Sequence, residues 1–208
     1  MISTYISNFH NVFGKYHDLM PWEITANLPT ILSEMMSNLN DAFEIKNGIA
    51  IHRSATIESG AVIKAPAIIS ENCLVAATGY LRGGVYLGRS SIIGPGCEIK
   101  TSVFMEKSVA AHLNFVGDSL IGNDVNFEAG SITANHYNER VWKEISVVHD
   151  SKIIPTGSTR LGSLIGDHCR IGANAVLFPG SLLLPQTIVD RLQLFNQSSN
   201  SPDGISPH

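Results

Sequence analysis

The sequence predicts an all-β solenoid, a parallel β-helix of hexapeptide repeats, and three observations predict it. Large aliphatic residues recur every six positions, at Ile51, Ile57, Ile63, Ile69, Val75, Leu81, Leu87, Ile93, Ile99 and Met105, with Ala111 next. Four residues after each step stands a small or branched residue: Ala55, Ala61, Ala67, Cys73, Gly79, Val85, Ser91, Cys97, Val103 and Val109. Turn-forming residues collect between them, at Gly60, Pro66, Asn72, Gly84, Gly94 and Gly96, where a coiled ribbon has to bend. One hexad makes a short strand and a bend and cannot bury its own aliphatic, whereas stacked hexads can. Three hexads closing one triangular turn place residues eighteen apart above one another at the strand spacing of about 4.8 Å.

Residues 1–46 lack the hexad and form a helical N-terminal segment. Asn27, Pro29 and Thr30 signal a helix start, and Ile31, Leu32, Met35, Met36, Leu39 and Phe43 make its apolar stripe. Its expected place is a cap over the open end of the solenoid, where strand edges would otherwise be bare. The coil occupies 47–187. After Ala111 its rhythm shortens, with Val116, Ile121 and Phe127 as steps. Residues 135–160 leave the repeat as a protruding hairpin, with Val141, Ile145, Val147, Ile153 and Ile154 flanking a turn from His149 to Lys152. Such an excluded loop commonly carries function or subunit contacts. The steps resume at Ile165, Ile171, Leu177 and Leu183. Val189 to Phe195 reads as a short C-terminal helix, and the Ser-, Asn-, Pro- and Gly-rich stretch 196–208 as a disordered tail.

Charged residues make up 15% of the 208, well under the roughly 25% of ordinary soluble domains, so the chain is expected to hide surface in an oligomer. A net charge of −4 argues against general nucleic-acid binding. No apolar run approaches the roughly 18 residues of a membrane span, and Met1 to Tyr16 lack a signal-peptide pattern; a cytoplasmic protein with no membrane partner is expected. Cys73, Cys97 and Cys169 each stand four residues after a step, where the repeat wants a small inward side chain, and read as core thiols.

The residue after each step points outward, and Lys64, Arg82 and Lys100 occupy that position one turn apart. Like charges stacked about 5 Å apart repel, so the column invites an anion such as phosphate. The same residues read alternatively as a solvated face whose long side chains splay apart. His112 takes an outward position where the rhythm fails, and a neutral imidazole is the usual general base for an amine or hydroxyl nucleophile. Its alternative is a structural hydrogen-bonder. A zinc site is rejected because positions 116 and 117 are Val and Gly, so no second histidine stands close by.

The run from Lys107 to Asn138, K-S-V-A-A-H-L-N-F-V-G-D-S-L-I-G-N-D-V-N-F-E-A-G-S-I-T-A-N-H-Y-N, is similar to a family signature, G-H-L-T-Y-L-G-D-A-x-I-G-x-x-V-N-I-G-A-G-T-I-T-x-N-Y. That family is the C-terminal acetyltransferase domain of the bifunctional glucosamine-1-phosphate acetyltransferase and N-acetylglucosamine-1-phosphate uridyltransferase. The spacing from Arg82 through Lys100 to Asn135 matches without a gap, and the loop after Asn135 with Thr159–Gly166 looks more like the archaeal-type sugar-1-phosphate nucleotidylyltransferase version.

The resemblance implies a left-handed coil, a homotrimer with sites between subunits, and acetyl-CoA as donor, with no metal. It implies His112 as the base that deprotonates the sugar amine, Arg82 and Lys100 as holders of the sugar phosphate, and Asn126 and Asn135 as polar contacts to the substrate. Ala129, Gly130, His136 and Ala173 fall on the coenzyme side, with backbone N–H groups near Gly130 for the oxyanion. Phe115 stands where the family has a phosphate-binding tyrosine, Glu128 replaces a glycine beside the coenzyme channel, and His136 replaces a tyrosine. Nothing resembles the glycine-rich loop of the nucleotidyltransferase domain, so uridylyl transfer would fall to a separate nucleotidyltransferase. The reading is an amino-sugar 1-phosphate N-acetyltransferase. Its alternatives are a sugar O-acyltransferase fed by acyl carrier protein, and a non-catalytic trimeric module that binds a sugar phosphate or nucleotide sugar.

Overall fold

The ribbon coils as a left-handed parallel β-helix with three faces; the structure is a computed structural model that describes residues 1–197. One face stacks the strands Ile49–His52 and Ala67–Ile69, then residues 85–87 and 102–104, then Leu120–Ile121, Ser163–Ile165 and Ser181–Leu183. The second stacks Val62–Ile63, residues 80–82 and 98–100, Phe115–Gly117, Ile132–Thr133, Val176–Leu177 and Leu194–Phe195. The third runs from Thr56–Ile57 to Ile188–Val189. Inside the prism, Ile69, Val75, Leu81, Leu87, Ile93 and Ile99 are fully buried, as the hexad requires. Burying each is worth roughly 1.5–3 kcal/mol.

Past Ile99 the frame differs from a strict hexad. Arg82 and Val85 are separated by Gly83 and Gly84, but Lys100 and Ser102 only by Thr101 and Gly117 and Ser119 only by Asp118, both at positive φ (+47° and +48°). The corner between the second and first faces thus loses one residue. Leu87 then pairs with Phe104 and Ile93 with Ala110. The inward steps are therefore Phe104 and Ala110, in place of Met105 and Ala111, which explains the shortened rhythm. Ser102 and Ser108 point inward in place of Val103 and Val109, their hydroxyls donating to the carbonyls of Lys100 (2.7 Å) and Gly122 (2.6 Å).

The N-terminal segment does not cap an end of the coil. Its short helix α1 (Phe9–Phe13) and long helix α2 (Pro21–Met36) lie along the first face, where Ile24, Leu28, Ile31 and Leu32 pack on Ile68, Val103, Leu120 and Leu164. That face offers an unbroken outward column of apolar residues, and covering it gains more than covering an end would. The helix begins at Pro21, eight residues before the expected start, because Pro21 fills N1 and the Glu23 carboxylate accepts the Met20 N–H at 2.7 Å. Pro29 sits inside it, against the coil: a Cβ on Gly84 would lie 3.3 Å from the Pro29 nitrogen. Asp167 pins the far end, accepting from the Ser7 N–H (3.0 Å) and hydroxyl (2.7 Å).

The hairpin is present, with strands Ser146–His149 and Lys152–Pro155 and the expected turn between His149 and Lys152. Its inner side does not protrude: Ile145 and Val147 are buried with Leu161 and Leu182. Val189 to Phe195 is coil, not helix, since Val189 and Phe195 continue the six-residue step as further strands. The tail expected at 196–208 falls outside the described residues from 198 onward. Cys73, Cys97 and Cys169 are buried free thiols. Among the described residues, no helix is long and apolar enough to cross a membrane.

Candidate active site

Lys64, Arg82 and Lys100 form adjacent rungs on the second face: Ile63 pairs with Leu81, and Arg82 with Lys100. The column is not bare positive charge, because acidic residues on neighbouring rungs answer it. Lys100 Nζ donates to both oxygens of Asp118 at 2.7 Å, with the two side chains only 17% and 8% exposed. Arg82 reaches one oxygen of Glu98 from Nε (2.7 Å) and Nη2 (2.6 Å). Lys64 has no carboxylate partner among the described residues, and its Nζ lies 5.5 Å from the centre of the Tyr80 ring. The exposed end of the column therefore holds its uncompensated charge.

Asp118 is buried at the narrowed corner and also accepts from Asn135 Nδ2. Asn135 Oδ1 in turn lies 3.2 Å from Nδ1 of the exposed His136, a contact that needs the proton on that nitrogen. The Asn135 amide thus faces inward and supports Asp118. Phe115 is half-buried on the second face, paired with Glu98 on one side and Ile132 on the other.

His112 stands exposed at the corner between the third and second faces. The bend is set by its own backbone: its N–H donates to Asn114 Oδ1 (3.1 Å), and its carbonyl accepts the Gly130 N–H (2.9 Å). Asn114 is buried and anchored to Ser131 Oγ at 2.9 Å. The His112 imidazole has no hydrogen-bond partner among the described residues, so both ring nitrogens are open. Asn174 N–H donates to Ala129 carbonyl and Leu192 N–H to Ala173 carbonyl, which stacks His112, Ala129, Ala173 and Arg191 along one corner. Four of the expected residues, His112, Ala129, Gly130 and Ala173, are in this way brought into one line.

The Gly130 N–H is engaged by His112 and is not available to an oxyanion, whereas the exposed Ala129 N–H has no partner among the described residues. Glu128 fills space where the resemblance has no side chain. Its carboxylate accepts from the Ala173 N–H (2.9 Å) and from Arg191 Nε (2.8 Å) and Nη2 (2.7 Å). The Arg191 guanidinium foremost, then the Ala173 N–H, holds that carboxyl below its ordinary range. Asn126 is half-buried on the third face between Val109 and Arg170, beside a cleft of about 230 Å³ shared with Glu128 and Arg191. No three His, Cys, Asp or Glu side chains among the described residues are grouped to hold a metal ion. Sequence reading missed Glu98, Asp118, Tyr80 and Arg191. Strand alternation from Arg82 and Lys100 could have found Tyr80 and Glu98, two residues earlier on the same face.

No protein-family model matches the chain. A bifunctional sugar-1-phosphate nucleotidylyltransferase/acetyltransferase from Sulfurisphaera tokodaii is 36% identical over 168 residues, covering 77% of this chain and 41% of the relative. A bifunctional GlmU protein from Methanococcus maripaludis is 31% identical over 193 residues, covering 86% and 45%. The chain therefore spans less than half the length of these curated relatives. A solved hexapeptide transferase family protein from Anaplasma phagocytophilum overlays 70% of this chain and 72% of its own, with 18% identity and a TM-score of 0.32, too loose a likeness to bear on function.

Proposed function

We propose that this chain, which belongs to the hexapeptide-repeat transferase family represented by the acetyltransferase domain of those bifunctional proteins, moves an acetyl group from acetyl-CoA to the amine of an amino-sugar 1-phosphate. The observation that carries this is the unpartnered, exposed imidazole of His112 at a corner beside a face whose cation column keeps a net positive charge. The amine lone pair attacks the thioester carbonyl while a ring nitrogen of His112 takes the amine proton. The N–H of Ala129, the residue stacked on His112, has no partner among the described residues and stands ready for the oxyanion. Collapse breaks the C–S bond, and the coenzyme thiolate leaves with the proton returned by His112.

A site completed by a second copy in a homotrimer fits the distribution of apolar surface. The first face is covered by the chain's own helices, but the other two are uncovered. Val62 (47% exposed), Ile132 and Leu194 lie outward on the second, and Ile92 and Ile188 (72%) on the third. Two unlike apolar faces on one prism suit a heterologous contact, which closes into a three-membered ring when each copy is turned a third of a circle from the last. A nucleotidyltransferase acting on the acetylated sugar phosphate is the partner this reading implies.

Thiol release from acetyl-CoA, measured against a panel of amino-sugar phosphates, tests the reading. Turnover should appear with at least one acceptor, and His112→Ala should lower kcat by about 100-fold or more, the usual contribution of a general base. Equal turnover by His112→Ala and the unaltered chain removes His112 from the mechanism.

A further inference from the structure

We infer that Glu128 and Arg191 gate the donor: the Glu128 carboxylate closes the corner beyond Ala129, and the acyl donor is admitted only as Glu128 releases the Ala173 N–H and the Arg191 guanidinium. This rests on the reading above that acetyl-CoA is the donor, and it names the residues that set its affinity.

With the proton acceptor at His112 and the open N–H at Ala129, the thioester carbonyl lies over that corner and the rest of the donor has to leave along it. Toward the start of the coil the way is filled. The preceding rung is Pro95–Gly96, where the Pro95 carbonyl accepts the Leu113 N–H, and the Leu113 side chain lies across Gly96: a Cβ there would stand 2.5 Å from Leu113 Cδ2. Toward the end of the coil come Ala129 and Ala173, each with a single methyl, and then Arg191. The two alanines differ. Ala129 is exposed with its N–H open, whereas Ala173 is half-buried and its N–H donates to Glu128 Oε2 at 2.9 Å.

The gate is one side chain on a fixed backbone. The Glu128 carbonyl accepts from Asn114 Nδ2 and Ser131 Oγ, both at 2.8 Å, and its N–H donates to the Ile171 carbonyl at 2.9 Å, so the main chain cannot yield. The carboxylate can. It receives Arg191 on both oxygens, Nε on Oε2 (2.8 Å) and Nη2 on Oε1 (2.7 Å), but the guanidinium is 72% exposed and the carboxylate 37%, and an ion pair open to solvent is weakly held. The cleft of about 230 Å³ beside it, lined by Asn126, Arg170 and Ile188, gives the carboxylate room to swing off the corner. That swing frees two donors, and coenzyme A has acceptors for both, in the amide carbonyls of its arm and the phosphates beyond them. It also removes a negative charge from the path of a polyanion.

Calorimetric titration of the full chain with coenzyme A reads the gate without turnover. Glu128→Ala uncovers the Ala173 N–H and leaves Arg191 unpaired, and should bind coenzyme A at least threefold more tightly. Arg191→Ala leaves the carboxylate on the Ala173 N–H with its charge unanswered, and should bind at least threefold more weakly. The KM for acetyl-CoA should move in the same directions. Both variants delete the same ion pair, so a purely structural role would move both alike; unchanged melting temperatures verify that each folds. Glu128→Ala binding coenzyme A no more tightly than the unaltered chain, or the two variants shifting affinity in the same direction, overturns the gate and leaves acetyl transfer through His112 standing. No binding of coenzyme A by any of the three proteins, with no thiol release on any amino-sugar phosphate, overturns both.

Discussion

Removing Asp118 should destabilise the coil more than any exposed charge would. In Asp118→Ala, Lys100 keeps its ammonium at a site 17% exposed with no carboxylate to receive it, and Asn135 loses the acceptor for its Nδ2. Breaking a buried pair by deleting one partner costs roughly 3–5 kcal/mol. The residual exposure of Lys100 and the freedom of its long stem to reach solvent place the loss at about 3 kcal/mol. For a chain of this length that is a fall in Tm of roughly 6–12 °C. Differential scanning calorimetry at one fixed protomer concentration measures it, since an oligomer's Tm moves with concentration. Glu106→Ala is the control: its partner Arg89 is 55% exposed, and a surface pair is worth at most about 1 kcal/mol. The double variant Lys100→Met with Asp118→Ala removes the stranded charge and should recover part of the loss. The reasoning is refuted if Asp118→Ala costs no more than Glu106→Ala, or if the double variant loses the full sum of the two single changes.

Two further outcomes follow from the packing. Gly94→Ala should leave little folded protein in a solubility or circular dichroism assay, because its Cβ would lie 1.7 Å from the Ala111 carbonyl oxygen at a corner where each turn rests on the next; soluble, normally melting Gly94→Ala would contradict the stacking. Burial pushes the Cys73 and Cys169 thiols up to about 11, so at pH 8 only about one in a thousand is thiolate. Iodoacetamide followed by mass spectrometry should therefore label them in denaturant and not in the folded chain, and labelling of the native protein at the pace of a free thiol would be evidence against their place in the core.

The hexad was readable up to Ile99 because inward and outward residues there differ in kind, with Lys64, Arg82 and Lys100 beside Ile63, Leu81 and Ile99. It blurred at Thr101 because both candidate frames are apolar. Phe104 fills the prism while Met105 and Val103 are buried outside it beneath the N-terminal helices. A covered outer face erases the alternation on which strand reading depends. The terminal helix was misread for a similar reason, since Val189, Leu192 and Phe195 mimic a helical stripe although Leu192 is 76% exposed at a bend. Pro29 suggested a helix start because proline is favoured at N1, and Pro21 holds that position instead. At the candidate site, the corner bearing His112 and the cation rungs stood out by residue type, whereas the carboxylates answering them needed the repeat to be followed further. Asp118 stands eighteen residues after Lys100, next in the same column, and the one-residue loss at the corner sets Gly117 on the Lys100 rung and Asp118 at the bend beside it.

The excursion at 135–160 interrupts a coil that advances eighteen residues per turn at first, from Ile51 to Ile69, seventeen past the Thr101 corner, from Ala110 to Phe127, and eighteen again after the excursion, from Ile165 to Leu183. It behaves like a dislocation in a crystal, a defect at which two lattices of slightly different pitch are joined without strain passing between them. Length changes accumulated by such a chain can be absorbed there. A single residue deleted within a strand would turn the side chains that follow toward the wrong side of the wall, whereas a corner can take up the loss, as the one at Thr101 does.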